Sequence, residues 1–217
     1  MFEKNLKAIV FDLDGTLLDS NGIWRWVDET FLHQHGHKLT DEYNAYVSHA
    51  IFPDAAHFTK VYYNLPITEA EIMDGWLALA KNAYAHTLPL KPGAKEYLKQ
   101  CADRAEQMAL YTSSEPSLCR AALQRHGLTA YFSQLLFAQE LKLEKKYPDS
   151  FFKLSKRLDT QPSECVLYDD SPVACLAAKK AGWTVIGVRD PFFSHQEAEL
   201  EQTCNHVINN LSDLLDS

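Results

Sequence analysis

Near its start the chain carries Ala8-Ile9-Val10-Phe11-Asp12-Leu13-Asp14-Gly15-Thr16. An unbroken apolar run followed at once by two carboxylates reads as a buried strand with a polar end. The side-chain period of a strand is two, so Asp12 and Asp14 leave the same face. At about 4 Å and an effective dielectric of about 20, two such charges repel by roughly 4 kcal/mol. Packing gives no reason to keep that repulsion, whereas a bound divalent cation relieves it. Gly15 supplies the backbone freedom for a sharp turn around the site.

Downstream the pattern changes. From Leu17 to about Leu88 no strand is apparent and helical spacing dominates. Trp24, Val27, Phe31 and Leu32 form one apolar face. Tyr43, Tyr46, Val47, Ala50 and Ile51 form another, with Pro53 as the expected stop. Thr68 and Glu71 have the spacing of a capping box, and Ile72, Trp76, Leu79, Ala80 and Ala83 follow at helical intervals. Residues 18–88 are therefore expected to form an all-helical insert. Its many aromatics are expected to fill a small core of their own, with a minority lining a substrate pocket. His33 and His37 invite a metal reading, but histidines near a helix end at Gly36 fit the helix dipole better.

Leu88-Pro89-Leu90-Lys91-Pro92-Gly93 closes the insert as a hinge. Strands and helices then alternate. A helix over about 93–102 precedes a strand from Gln107 to Tyr111 that ends in Thr112-Ser113-Ser114. Pro116 opens a helix that Gly127 stops. A short strand at Leu135-Leu136-Phe137 leads into a charged loop from Glu140 to Lys146 and a helix from Pro148. The strand Cys165-Val166-Leu167-Tyr168 ends in Asp169-Asp170-Ser171, and Pro172 opens the next helix, which Gly182 ends. Strands at 183–188 and 207–208 and a short helix at 211–215 complete the chain. Such alternation implies right-handed crossovers and a parallel sheet covered on both faces. The expected fold is thus α/β, with a Rossmann-like core of residues 1–17 and 89–217.

Composition narrows the function. With 46% apolar residues in a chain of 217, a sizeable core is available. A formal net charge of -8 disfavours nucleic acid, and no basic cluster overrides that sign. The five cysteines are odd in number and lack a Cys-x-x-Cys pair, which reads as reduced, mostly buried thiols. There is neither the long apolar region of a signal peptide nor a membrane-spanning run, so a cytoplasmic protein with no membrane partner is expected.

In an open parallel sheet, ligands bind beyond the carboxyl ends of the strands. Asp12 and Asp14, Thr112 and Ser113, Lys145, and Asp169 and Asp170 all fall there. Carboxylates, hydroxyls and an ammonium are the groups that hold a phosphate against magnesium. Taken singly, each has a plainer reading: Asp-x-Asp-Gly is a turn, Lys145 a solvated charge, Asp169-Asp170 an acidic cap. Their joint placement is what carries the catalytic reading.

In order along the chain, Asp-x-Asp-Gly-Thr at 12–16, the strand ending in Thr112-Ser113, Lys-x-x-Pro-Asp at 145–149 and Asp169-Asp170-Ser171 together resemble the haloacid dehalogenase superfamily. The similarity is to its phosphatase branch with a helical cap after the first strand, the group of phosphoglycolate phosphatase and β-phosphoglucomutase. The resemblance implies that Asp12 is the nucleophile and Asp14 the general acid and base. It implies Mg²⁺ held by the Asp12 carboxylate, the Asp14 backbone carbonyl and Asp170, with Thr16 and Asp169 standing behind these groups. It further implies that Thr112, the Ser113 amide and Lys145 grip the phosphoryl oxygens. Lys146 competes with Lys145 for that role, and spacing to Pro148 and Asp149 favours Lys145.

Dehalogenases and phosphonate hydrolases of the superfamily lack an acid at the position of Asp14, so a small phosphate monoester is the expected substrate. A β-phosphoglucomutase-like transferase is the first rival. It needs basic residues in the insert, where only Arg25, Lys38, Lys60 and Lys81 occur. A non-catalytic binding protein on the same fold is the second. Arg25, with Trp24 beside it, is either a grip on the far end of the substrate or half of a surface ion pair.

Overall fold

The computed structural model describes residues 6–47, 50, 52–103 and 107–215. Ile51, placed on a helical face from its spacing, lies outside them. In chain order the elements are β1 (Ala8–Phe11), α1 (Ile23–Gln34), α2 (Asp41–Val47), α3 (Phe52–Tyr63), α4 (Glu69–His86), α5 (Ala94–Ala102), β2 (Gln107–Thr112), α6 (Pro116–His126), β3 (Gln134–Phe137), α7 (Ala138–Leu141), α8 (Pro148–Arg157), β4 (Cys165–Asp169), α9 (Pro172–Lys180), β5 (Thr184–Val188), α10 (Glu197–Thr203) and β6 (His206–Ile208). They fall into two compact units, Met1–Asn21 with Leu88–Ser217, and Gly22–Thr87.

The first unit is built on a six-stranded sheet of order β3-β2-β1-β4-β5-β6, in which every pairing is parallel. Strand order reverses at β1, the place where such sheets open a crevice. All four residues of β1 are buried, because β2 and β4 flank it and helices cover both faces. The period of two sorts its side chains. Ala8 and Val10 join Tyr111, Leu136, Phe151, Leu154, Leu167, Cys175 and Trp183 in one core layer. On the other face Phe11 stacks on Tyr168 at 4.7 Å and meets Tyr97 edge-on at 6.3 Å. The two buried phenols satisfy each other through a 2.6 Å hydrogen bond. Register places Phe11 beside Leu110 and Tyr168, so Asp12 and Asp169 leave the sheet side by side.

Two features of this unit lay outside the sequence reading. The charged loop before Pro148 begins inside α7, and a 3₁₀ turn at Pro191–Gln196 followed by α10 fills the stretch between β5 and β6. All five cysteines are free and buried. No described helix is long and apolar enough to cross a membrane.

In the second unit α1 packs on α4, and Gly75 makes room for the contact: a Cβ there would stand 2.7 Å from Phe31 Cε2. Thr68 and Glu71 form the reciprocal capping box at the start of α4. The expected helix ending at Pro53 is corrected. Pro53 sits in the first turn of α3, where its missing N–H costs nothing, so it opens a helix there. The aromatic core is also smaller than expected. α1 buries Ile23, Val27, Phe31 and Leu32, which turns Trp24 and Trp26 to the surface, and Tyr46 of α2 is exposed as well. Tyr43 is wholly buried and bonds the Thr59 hydroxyl at 2.8 Å and Asp28 at 3.2 Å. α1 ends before His35, whose Nδ1 bonds the Phe31 carbonyl at 2.8 Å, and His37 lies beyond the helix.

Candidate active site

At the carboxyl edge of the sheet the first unit opens a cleft of about 580 Å³, lined among others by Asp12, Asp14, Ser113, Lys145, Asp169 and Asp170. Each residue is delivered by a local device. Asp12 is tied to the neighbouring strand by its backbone N–H, which donates to the Tyr168 carbonyl at 2.9 Å. The chain then turns on Gly15, at φ +77, with the Gly15 N–H donating to the Leu18 carbonyl at 2.8 Å. A Cβ on Gly15 would meet Asn21 Nδ2 and Asp170 Oδ2 at 2.1 Å each, so only glycine leaves room for them.

Lys145 reaches the cleft because the loop's carbonyls are gripped from behind. The Tyr111 hydroxyl donates to Leu143 O at 2.8 Å, and the Ser150 hydroxyl donates to Glu144 O at 2.7 Å. The buried ammonium then bridges Asp12 Oδ1 at 2.5 Å and Asp169 Oδ2 at 2.7 Å. Lys146, by contrast, is exposed and pairs with Glu144 at 2.6 Å. Asp169 spends its other oxygen on the Ser171 N–H at 2.9 Å.

Asp14 stands apart from this bridge. Its carboxylate accepts from the Ser20 hydroxyl at 2.6 Å and the Ser114 hydroxyl at 2.5 Å. Thr112 is buried at the end of β2, and its Oγ1 accepts from the Ser114 N–H at 3.1 Å, which fixes the loop in which Ser113 faces the cleft. Thr16 is fully buried, and its Oγ1 has no hydrogen-bond partner among the described residues. Arg25 and Trp24 belong to the other unit. Arg25 pairs with Glu29 at 3.1 Å on the outer side of α1, and the Trp24 ring meets Phe52 edge-on at 5.7 Å.

Electrostatically the cleft is unbalanced. Burial pushes the Asp12 carboxyl well above the usual range; Lys145 opposes the shift, and Asp169, Asp170 and Asp14 add to it. Burial, followed by the charge of Asp169, raises Asp170 to about 7, with the Asn21 hydrogen bond opposing. Burial also works against the Lys145 ammonium, but Asp12 and Asp169 outweigh it and hold the pKa above its ordinary value.

Asp12, Asp169 and Asp170 are all buried, and each offers an oxygen within 4.8 Å of the others. Three buried oxygen donors facing one ammonium fit a hard divalent cation, whose charge would remove the excess that lifts Asp12 and Asp170. The Asp14 side chain is not part of that cluster. Ser20, Ser114 and Asn21 join the site without belonging to any of its sequence motifs. Ser114 had a signal in the Thr112-Ser113-Ser114 run, while Ser20 and Asn21 carried none.

A family model for haloacid dehalogenase-like hydrolases matches residues 6–182. The chain belongs to that family. Among curated haloacid dehalogenase-like relatives, the fructose-1-phosphate phosphatase YqaB of Escherichia coli (strain K12) is 26% identical over 197 residues, covering 87% of this chain and 99% of that one. The bifunctional riboflavin kinase/FMN phosphatase of Arabidopsis thaliana is 26% identical over 213 residues, 98% of this chain, which spans 55% of that longer protein. A solved structure of a candidate β-phosphoglucomutase from Thermotoga maritima superposes with a TM-score of 0.85 at 21% identity, covering 97% of each chain. At that identity the superposition speaks for the fold.

Proposed function

We propose that the protein is a Mg²⁺-dependent phosphatase that hydrolyses a small phosphate monoester through an aspartyl-phosphate on Asp12. The observation that carries this reading is the Lys145 ammonium bridging buried Asp12 and Asp169, with Asp14 held separately by two hydroxyls. Lys145 favours the ionised form of Asp12, the form that attacks phosphorus. Asp14 lends its proton to the departing alkoxide and then takes one from the water that attacks the acyl phosphate. Thr112, the Ser113 N–H and Lys145 bind the transferring oxygens and offset the charge that collects there.

Asp12, Asp170 and the Asp14 backbone carbonyl are the groups that would hold Mg²⁺, with Thr16 and Asp169 behind them. When bound, the cation supplies positive charge against the phosphate oxygens. The residues of Gly22–Thr87 act as a cap that admits small substrates and excludes water; Trp24 and Arg25 are its candidates for substrate specificity, although the Arg25–Glu29 pair matches the surface ion-pair alternative for Arg25. The phosphatases among the relatives, one of them named for fructose 1-phosphate, favour a small phosphorylated metabolite.

A phosphate-release panel of sugar phosphates, phosphoglycolate and mononucleotides with Mg²⁺ tests the reading. Wild type should release phosphate and Asp12→Asn should not; equal release by both overturns the nucleophile. Incubation with β-glucose 1-phosphate and a trace of bisphosphate tests the transferase alternative. Isomerisation without phosphate release would refute hydrolysis.

A further inference from the structure

Asp170 has a partner that the phosphatase reading leaves without a task. Asn21 Nδ2 donates to Asp170 Oδ2 at 2.6 Å, across 149 residues of sequence. Asp170 is 7% exposed, so this bond orients a carboxylate that water scarcely reaches. The contact is built rather than casual: the absent side chain of Gly15 is the space in which amide and carboxylate meet.

The backbone that presents Asn21 is anchored too. Residues 17–19 run against residues 89–91, with the Asp19 N–H donating to Pro89 O at 3.0 Å and the Lys91 N–H donating to Leu17 O at 2.9 Å. The Lys91 ammonium in turn donates to Gly15 O at 2.7 Å. Asn21 therefore reaches Asp170 from a braced ribbon two residues beyond Asp19.

We propose that Asn21 is a positioning residue that holds the Asp170 carboxylate toward Asp12 and thereby sets the protein's affinity for its divalent cation. The inference rests on the metal-holding role of Asp170 in the reading above. A carboxylate that already accepts one charge-assisted bond presents its remaining lone pairs in a fixed direction, and the ordering is done before the ion arrives. Reciprocity follows: whatever the contact adds to metal affinity, bound metal adds to the contact.

The test is titration calorimetry of Mg²⁺ alone into the metal-stripped full chain, wild type and Asn21→Ala, with metal-free melting temperatures beside it. Loss of a group that orients a metal ligand weakens affinity roughly 10- to 100-fold, and the low end is expected here because Asn21 is half-buried. A dissociation constant within about twofold of wild type overturns the proposal, because second-sphere loss of that kind costs more. A lowered metal-free melting temperature with unchanged affinity also overturns it and leaves Asn21 as a structural tie. Hydrogen exchange on wild type needs no variant: Mg²⁺ should slow exchange at residues 19–22, and exchange indifferent to Mg²⁺ counts against the proposal. If wild type takes up no Mg²⁺, the parent reading falls and this one with it, an outcome distinct from wild-type binding that Asn21→Ala leaves intact.

Discussion

Lys91→Met removes a buried cation while keeping most of its length. Lys91 and Asp190 side chains are 4% and 3% exposed, and the ammonium spends its three protons on Gly15 O at 2.7 Å, Arg189 O at 2.9 Å and Asp190 Oδ2 at 2.8 Å. Methionine leaves both carbonyls without that donor and Asp190 with the Phe192 N–H on Oδ1 but no opposing charge. Breaking one side of a buried pair costs about 3–5 kcal/mol, against about 1 kcal/mol for an ordinary hydrogen bond. At roughly 2–4 °C per kcal/mol for a chain of this size, the melting temperature should fall by about 6–20 °C.

Asp190→Asn separates the charge from the cap, since its Oδ1 still accepts from Phe192. The double variant should be less destabilised than the sum of the singles by at least about 1 kcal/mol, because each single leaves the other charge buried alone. Urea unfolding of the wild type, both singles and the double measures this. A Lys91→Met variant within about 1 kcal/mol of wild type, or strict additivity, refutes the reasoning, since a buried pair cannot behave as a surface one.

Asp14→Asn should slow alkyl phosphates by about 10²- to 10⁴-fold yet spare p-nitrophenyl phosphate, whose leaving group scarcely needs a proton; equal losses would remove the general-acid role. Lys145→Met should cost on the order of 10²-fold or more in kcat/KM, because Asp12 and Asp169 lose their shared cation, whereas Lys146→Met should stay within about twofold. Asp28 provides a pH test of the helical unit: burial raises its pKa to about 6, with the Tyr43 hydrogen bond opposing. A folded pKa above the unfolded one means that the folded chain holds the proton more tightly, so stability falls as pH rises from about 4 to 6 and the deficit is complete above 6. Asp28→Asn keeps an acceptor for Tyr43, so in melts across that window it should match wild type near pH 4 and exceed it at pH 7 by on the order of 1–3 kcal/mol, whereas parallel pH profiles would count against the burial argument.

The strands were legible because their evidence is local. Ala8 to Phe11 and Cys165 to Tyr168 are apolar runs closed by carboxylates, and prolines at 116, 148 and 172 mark helix starts on chemistry confined to one turn. Pro53 obeys the same rule, since it too lies in the first turn of a helix, and the expectation of a stop there reads the proline from the wrong side. On α1 the spacing holds for Val27, Phe31 and Leu32 and departs only at Trp24, whose place in the buried stripe is taken by Ile23.

The acids of the site were legible, but the groups that hold them were not. Ser114 and Asp14 lie 100 residues apart, Asn21 and Asp170 149 apart, and Lys91 and Gly15 76 apart. No periodicity connects such pairs, since each depends on where the sheet order β2-β1-β4 brings loop ends together. Lys91 shows the consequence most sharply. Pro89-Leu90-Lys91-Pro92-Gly93 reads as a hinge on its prolines and glycine and says nothing of Lys91, yet two carbonyls and Asp190 converge on it, as a buried ammonium requires. Lys145 is buried too and meets Asp12 and Asp169 with two of its three protons, whereas its neighbour Lys146 stays exposed. Sequence can place a lysine near a site; whether it is buried and paired depends on carbonyls and carboxylates supplied by other strands, and that distinction separates a residue that shapes the site from one that only borders it.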